Sequence, residues 1–266
     1  MSPAIQYLHA GGHRLEYQLL TSSRAGLPTL VLLHQGLGCL ASWRDFPSQL
    51  ANRSGCQTLV YSRYGYGGSD IVREPREADF LVREGDTVLT EILQTLRLDD
   101  VILIGHSDGG TVALAFAGKG HRARAIAVVA PHVRDEEITR EAIKRHREAW
   151  RTSVMRERMM RQHLDVDRMF NSWVDVWQSE RNAGWSIEDL LPNITCPLLA
   201  IQGFEDDHGT MMQIDRIEAL AHGPVMLEKW EGCGHDPFRD QPGRVLATLA
   251  TFIAQQCGQA PERPDR

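Results

Sequence analysis

In the stretch VILIGHSDGGTVALAFAG, Ser107 stands between Gly105 and Gly109, each two residues away. The apolar run before it reads as a strand and the small-residue run after it as a helix, the context a nucleophile elbow requires. A serine on so tight a turn projects its hydroxyl from the sheet edge. Glycines at the flanking positions admit backbone that a Cβ would exclude. The helix that begins there aims its positive end at a developing oxyanion. Serine attacks only when a base takes its proton. Eleven histidines compete for that task, and position selects among them. His235, in WEGCGHDPF, follows a late strand-like run and precedes the last helix, which brings it to the sheet edge of Ser107. His208 is the weaker rival. His34 ends a strand, but the glycines after it suggest another role, and His106 is expected to point away from the site. The base needs an acid to fix its tautomer. LLAIQGFEDDHG offers three just past a strand. Asp206, the fourth residue of Gly-x-x-Asp, is preferred to Asp207 and Glu205.

Acyl transfer also needs donors for the oxyanion, each worth roughly 10²–10³ in rate. The backbone N–H of Asp108 is one by position. The other belongs to LLHQGLG: Gly36 if counted two residues past His34, Leu37 if matched on glycine pattern, with Gly36 preferred. Asp108 itself is an unusual residue after a nucleophile. Its carboxylate is expected to cap the helix or pair with a cation such as Arg63. Steering water beside the oxyanion is the alternative.

These side chains meet only if a sheet presents its strand ends together. Four runs are apolar without alternation: TLVLLHQG (29–36), QTLVYSRYG (57–65), VILIGHS (101–107) and AIAVVAP (125–131). That pattern suits strands covered on both faces, as in a parallel sheet. Helix-like spacing over 78–97 and 108–119 separates them, so the fold class is α/β with helices on both faces. HRLEYQLL (13–20) is less apolar and suits an antiparallel edge region. CPLLAIQG (196–203) and VMLEKWEG (225–232) complete the strands, and a last helix covers about 242–255. From 134 to 191 the pattern is helical and charged. The expected organisation is a core of 1–133 and 192–256, a helical cap of 134–191 inserted between late strands, and a frayed tail at 257–266. A cap at the carboxyl edge of the sheet lies where ligands of open α/β sheets bind. Its large residues Trp150, Phe170, Trp173 and Trp177 are candidates to line an apolar substrate pocket. Anchoring the insert to the core is the plainer role for each taken singly.

Composition narrows the remaining classes. The 266 residues are 42% hydrophobic and 24% charged, with a net charge of −6, which suits a soluble protein and argues against nucleic acid as a partner. No apolar run approaches the ~18–20 residues of a membrane span. The amino terminus lacks a basic start followed by an apolar run, and a cytoplasmic location is expected. The five cysteines are scattered without CxxC spacing, so neither a disulfide framework nor a metal site is indicated. No cofactor motif is present. A monomer or homodimer acting on a small acyl substrate is the expected form. Ten basic residues lie between Arg134 and Arg168, but eight acidic ones share that span, which reads as a solvated helix surface.

With Ser107, Asp206 and His235 in that chain order, the sequence resembles the α/β-hydrolase superfamily from about residue 14 to 255. LLHQGLG resembles its oxyanion loop, with Gln35 where glycine is commoner. SRYGYGGSD resembles another of its loops, with Arg63 and Tyr64 as substitutions. GHSDGG is similar to the elbow, GFEDD to the acid loop and GCGHDPFRDQP to the histidine loop. The resemblance implies a mostly parallel sheet with a helical cap and a serine-nucleophile hydrolase. Branches with an aspartate nucleophile do not fit Ser107. Carbon–carbon hydrolases of ring-fission dienoates often carry tryptophan after the catalytic histidine and asparagine before the serine. Here those positions hold Asp236 and His106. The default implied is hydrolysis of a small, largely apolar carboxylic ester, with lactones and thioesters as neighbours. A non-catalytic ligand receptor is the contrasting class.

Overall fold

The computed structural model describes residues 3–152 and 154–258. Eight strands form one sheet: β1 (Gln6–Ala10), β2 (His13–Leu20), β3 (Thr29–Leu33), β4 (Thr58–Tyr61), β5 (Val101–His106), β6 (Ala125–Val129), β7 (Leu198–Gly203) and β8 (Val225–Trp230). Their order across the sheet is β1-β2-β4-β3-β5-β6-β7-β8. β1 pairs with β2, and β2 with β4, antiparallel, while every pair from β4 to β8 is parallel. β3, β5, β6 and β7 are buried along their whole length, as their unbroken apolar runs require. Successive side chains in them feed opposite faces. Leu30, Leu32, Ile102 and Ile104 pack with Leu249 and Phe252 of the helix Pro242–Gln256, whereas Val31, Leu33 and Leu103 pack on the other side with Val112 and Leu114.

The structure refines two sequence expectations. HRLEYQLL lies in the antiparallel edge region as expected, and the outermost strand there is β1. Its residues alternate exposed and buried only at its end, a short signal. The span 78–97 is helical in three parts, Phe80–Arg83, a π-helical turn Glu84–Val88, and Leu89–Leu96. That turn carries Glu84 inward to accept a hydrogen bond from Tyr61 Oη at 2.8 Å, a reason for a local bulge that helical periodicity does not register. The tail expected at 257–266 lies outside the described residues from 259 onward.

Between β6 and β7 run the helices Glu137–Ala149, Val154–Met159 and Val166–Trp177. The last begins at Asp165, whose side chain accepts the Arg168 N–H at 3.0 Å, a standard N-cap. Its buried face, including Met169, Phe170, Trp173 and Trp177, joins the hydrophobic cluster on the β3–β5 face.

Candidate active site

β5 ends at His106, and the helix Asp108–Gly118 starts two residues later. Ser107 bridges them with φ 53° and ψ −120°. A left-handed φ is uncommon outside glycine and marks a strained turn. It is held by Ser107 N–H donating to Val129 O at 2.9 Å and by Gly110 N–H donating to Ser107 O at 2.8 Å. A Cβ on Gly105 would overlap the Gly109 backbone, and one on Gly109 would overlap the Leu33 carbonyl. The two glycines therefore let the turn close.

His235 comes from the loop after β8, and its Nε2 lies 2.9 Å from Ser107 Oγ. Its Nδ1 faces both carboxylate oxygens of Asp206, at 3.0 and 2.9 Å. A carboxylate accepts only, so Nδ1 donates and Nε2 is left to accept the serine proton. Asp206, in the loop after β7, is fixed in turn by Gln202 Nε2 at 2.7 Å and by the N–H groups of His208 and Gly209 at 2.8 and 3.1 Å. Burial raises its carboxyl above the ordinary range, and the backbone donor at His208 opposes that shift. Burial, followed by the neighbouring imidazoles of His208 and His106, pushes His235 well below the usual histidine range. The neutral, proton-accepting form is thereby favoured.

The alternatives weighed on sequence fall into place around this line. Asp207 turns away to His208 Nδ1 (2.8 Å) and Arg145 (3.2 Å), and Glu205 accepts the Cys233 N–H at 2.8 Å. His208 stacks on His235 with ring centroids 4.4 Å apart, and its Nε2 shares a hydrogen bond with His146 Nε2 at 2.9 Å. His34 is buried between Gln35 O (2.7 Å) and the Arg63 N–H (3.1 Å), a structural post beneath the loop. The expectation that His106 points away is only half met. Its Nε2 donates to His235 O at 2.8 Å, yet the residue still lines the cavity. Backbone satisfaction, not distance from the site, decides its orientation.

A cavity of about 460 Å³ opens over Ser107 and His235, bounded by Gly36, Leu37, Trp173 and Trp177. Ile143 and Met155 extend its apolar wall from the helical segment. Trp150 and Phe170 do not line it. Their rings stack on each other at 3.7 Å, and Trp150 Nε1 donates to Asp167 at 2.8 Å. Of the four aromatic candidates, two face the cavity and two hold the segment together. Helical spacing puts Phe170, Trp173 and Trp177 on one face, but which neighbour each meets is decided by packing. Asp108 pairs with Arg63, as the sequence suggested, at 3.9 Å. Sequence reading missed its second partner, the Trp173 indole N–H at 2.9 Å. It also missed His132, whose ring lies 5.5 Å from His235 and whose imidazole burial pushes down to about 3. Neither has a local sequence signal, because both contacts cross more than sixty residues of chain. Among the described residues, Asp206, His208 and His235 could each offer one ligand atom within 4.8 Å of the others. Two of the three are already engaged in the line to Ser107.

Residues 30–248 match the model of the alpha/beta hydrolase family. The chain belongs to the alpha/beta hydrolase family. The chain is 32% identical over 87 residues to a proline iminopeptidase of Lactobacillus delbrueckii subsp. lactis, a match covering 33% of the chain and 30% of the relative. The chain thus spans about a third of the length of such curated relatives. Its fold is similar to an esterase from Thermogutta terrifontis, with TM-score 0.72 and 19% identity over 95% of this chain and 99% of that one. An enol-lactonase from Burkholderia xenovorans LB400 gives TM-score 0.73 and 17% identity, over 94% and 100%. At those identities the likeness concerns the fold. Among the described residues, no helix is long and apolar enough to cross a membrane.

Proposed function

We propose that this hydrolase cleaves small, largely apolar carboxylic esters through an acyl-enzyme, with Ser107 as nucleophile, His235 as base and Asp206 as the acid that orients it. The observation that carries the reading is the unbroken line from Ser107 Oγ through both nitrogens of His235 to Asp206. Ser107 Oγ attacks the carbonyl carbon as its proton passes to His235 Nε2. The N–H groups of Gly36 and Asp108 receive the oxyanion. Asp108 N–H is the first of its helix and has no acceptor within that helix by position. The protonated His235 returns its proton to the leaving alcohol, and water then hydrolyses the acyl group by the same steps in reverse order.

The apolar wall of the cavity supports an apolar group on the substrate. An aminoacyl amide, which the named activity of the curated relatives would suggest, needs a carboxylate free for its ammonium. Asp108, Asp206, Asp207 and Glu205 are each hydrogen-bonded or ion-paired already, which leaves Asp236 at the cavity wall. The test is turnover of p-nitrophenyl acetate and butyrate against prolyl p-nitroanilide. Ester turnover should exceed amide turnover and fall by at least about 10³-fold in S107A. Faster cleavage of the prolyl anilide, or ester turnover that survives S107A, would overturn the assignment.

A further inference from the structure

Asp108 directly follows the proposed nucleophile and is 1% exposed, yet it carries a carboxylate. Such a group is unfavourable in the interior unless it is paired and hydrogen-bonded. Its charge is met by Arg63, itself 3% exposed, and its Oδ2 accepts the Trp173 indole N–H. The same guanidinium donates to His34 O and, at 3.1 Å, to Gln35 O. One buried cation therefore braces both the residue after Ser107 and the loop that holds Gly36. Trp173 arrives from the opposite side, on the helix Val166–Trp177. Its indole fills the place where Gly36 would carry a Cβ, with Cζ2 2.9 Å from that point. It thus touches both proposed oxyanion-donor residues, Gly36 by packing and Asp108 by a hydrogen bond, while forming a wall of the cavity over Ser107.

We infer that Trp173 sets the length of acyl chain this site accepts, and that Asp108, braced by Arg63, is the positioning residue that holds the indole in place. The inference rests on the reading of Ser107 as nucleophile. An indole turns about two side-chain bonds only, and here its N–H is tied to the elbow itself. A chain growing from the reacting carbon towards the loop meets a wall that does not swing aside. The substrate class narrows to esters of short acyl groups. Replacing the indole with a small side chain opens that direction, and each further methylene buried gains about fourfold in affinity.

The experiment uses n-alkylboronic acids from methyl to octyl, bound to the full chain and followed by calorimetry. Ser107 Oγ adds to boron, its proton passes to His235, and the resulting tetrahedral anion stands in for the oxyanion, so no substrate need be known. In the wild type, affinity should pass through a maximum at a short chain. In W173A the maximum should move about two carbons longer, with more than about tenfold tighter binding of the longer acids. W173L, which keeps an apolar side chain in the core, replaces W173A if the latter fails to fold. D108A should shift the profile in the same direction. D108N retains an oxygen for the indole N–H and should restore the wild-type length profile. An unchanged profile in W173A, or equal weakening at every length, would overturn the inference and leave the proposed ester hydrolysis standing. A wild-type profile in D108A, or a failure of D108N to restore it, would overturn the role given to Asp108. If the wild type binds no boronic acid, or S107A binds as well as wild type, the Ser107 reading falls and takes this inference with it.

Discussion

His235 is held neutral by its surroundings. Burial against its neighbours desolvates it, and the imidazoles of His208 and His106 act in the same direction. The Asp207 carboxylate works against that pressure, but the net direction is downward. For a base that must be unprotonated to act, a lowered value extends the active range towards acid. The acid limb of kcat/KM should therefore fall at a pH below the ordinary histidine value of about 6.5. Rates between pH 6.5 and 8 should be flat. A pH–rate profile on a short p-nitrophenyl ester checks this, and an acid limb above 7 would contradict it. Much of this residue-scale picture was legible in the sequence: glycines bracketing Ser107, and an acid and a histidine each just past a strand. The ring of histidines around His235 was not, since His106, His132, His146 and His208 come from four different segments.

At the scale of elements, the helix Val166–Trp177 presents two kinds of aromatic residue. Trp173 and Trp177 face the cavity, whereas Phe170 lies under Trp150 in a parallel stack. Trp150 also anchors Asp167, to which Arg156 donates at 2.8 Å from Nε. Removing the Trp150 ring deletes a buried face from the helical segment without touching the wall over Ser107. W150A should destabilise the fold by about 3–5 kcal/mol and leave the order of preference among esters unchanged. Denaturant unfolding and a panel of esters measure the two effects separately. A changed order with unaltered stability would place Trp150 at the substrate instead. Apolar periodicity foretold that this helix has a buried face. It could not divide that face between cavity and core, because the division depends on where neighbouring segments cross it.

For the molecule as a whole, buried histidines tie stability to pH. His34 and His235 are pushed well below the ordinary range, His132 to about 3 and His163 to about 4, each chiefly by burial. Between about pH 6.5 and those lowered values the unfolded chain binds protons that the folded chain refuses. Stability is therefore fully present above about 6.5 and declines as pH falls. Each such group contributes on the order of 1.4 kcal/mol per pH unit. Urea midpoints measured from pH 8 to 4.5 should be level at first and then fall steeply below 6.5. A midpoint that rises on acidification would show that these imidazoles charge freely in the native state.

Sequence alone determined the α/β class, the parallel centre of the sheet, the helical segment between β6 and β7, and the three residues in line at the sheet edge. Those features are written in local runs: unbroken apolar stretches, glycine spacing, and the order of strand-end residues. Tertiary structure alone decided that Asp108 takes Trp173 as a second partner beside Arg63, that Trp150 and Phe170 serve the interior of the segment, and that His106 donates to the backbone of His235. Each of these joins residues distant in the chain. A buried polar group takes whichever partner folding brings within reach, and no local pattern records that choice.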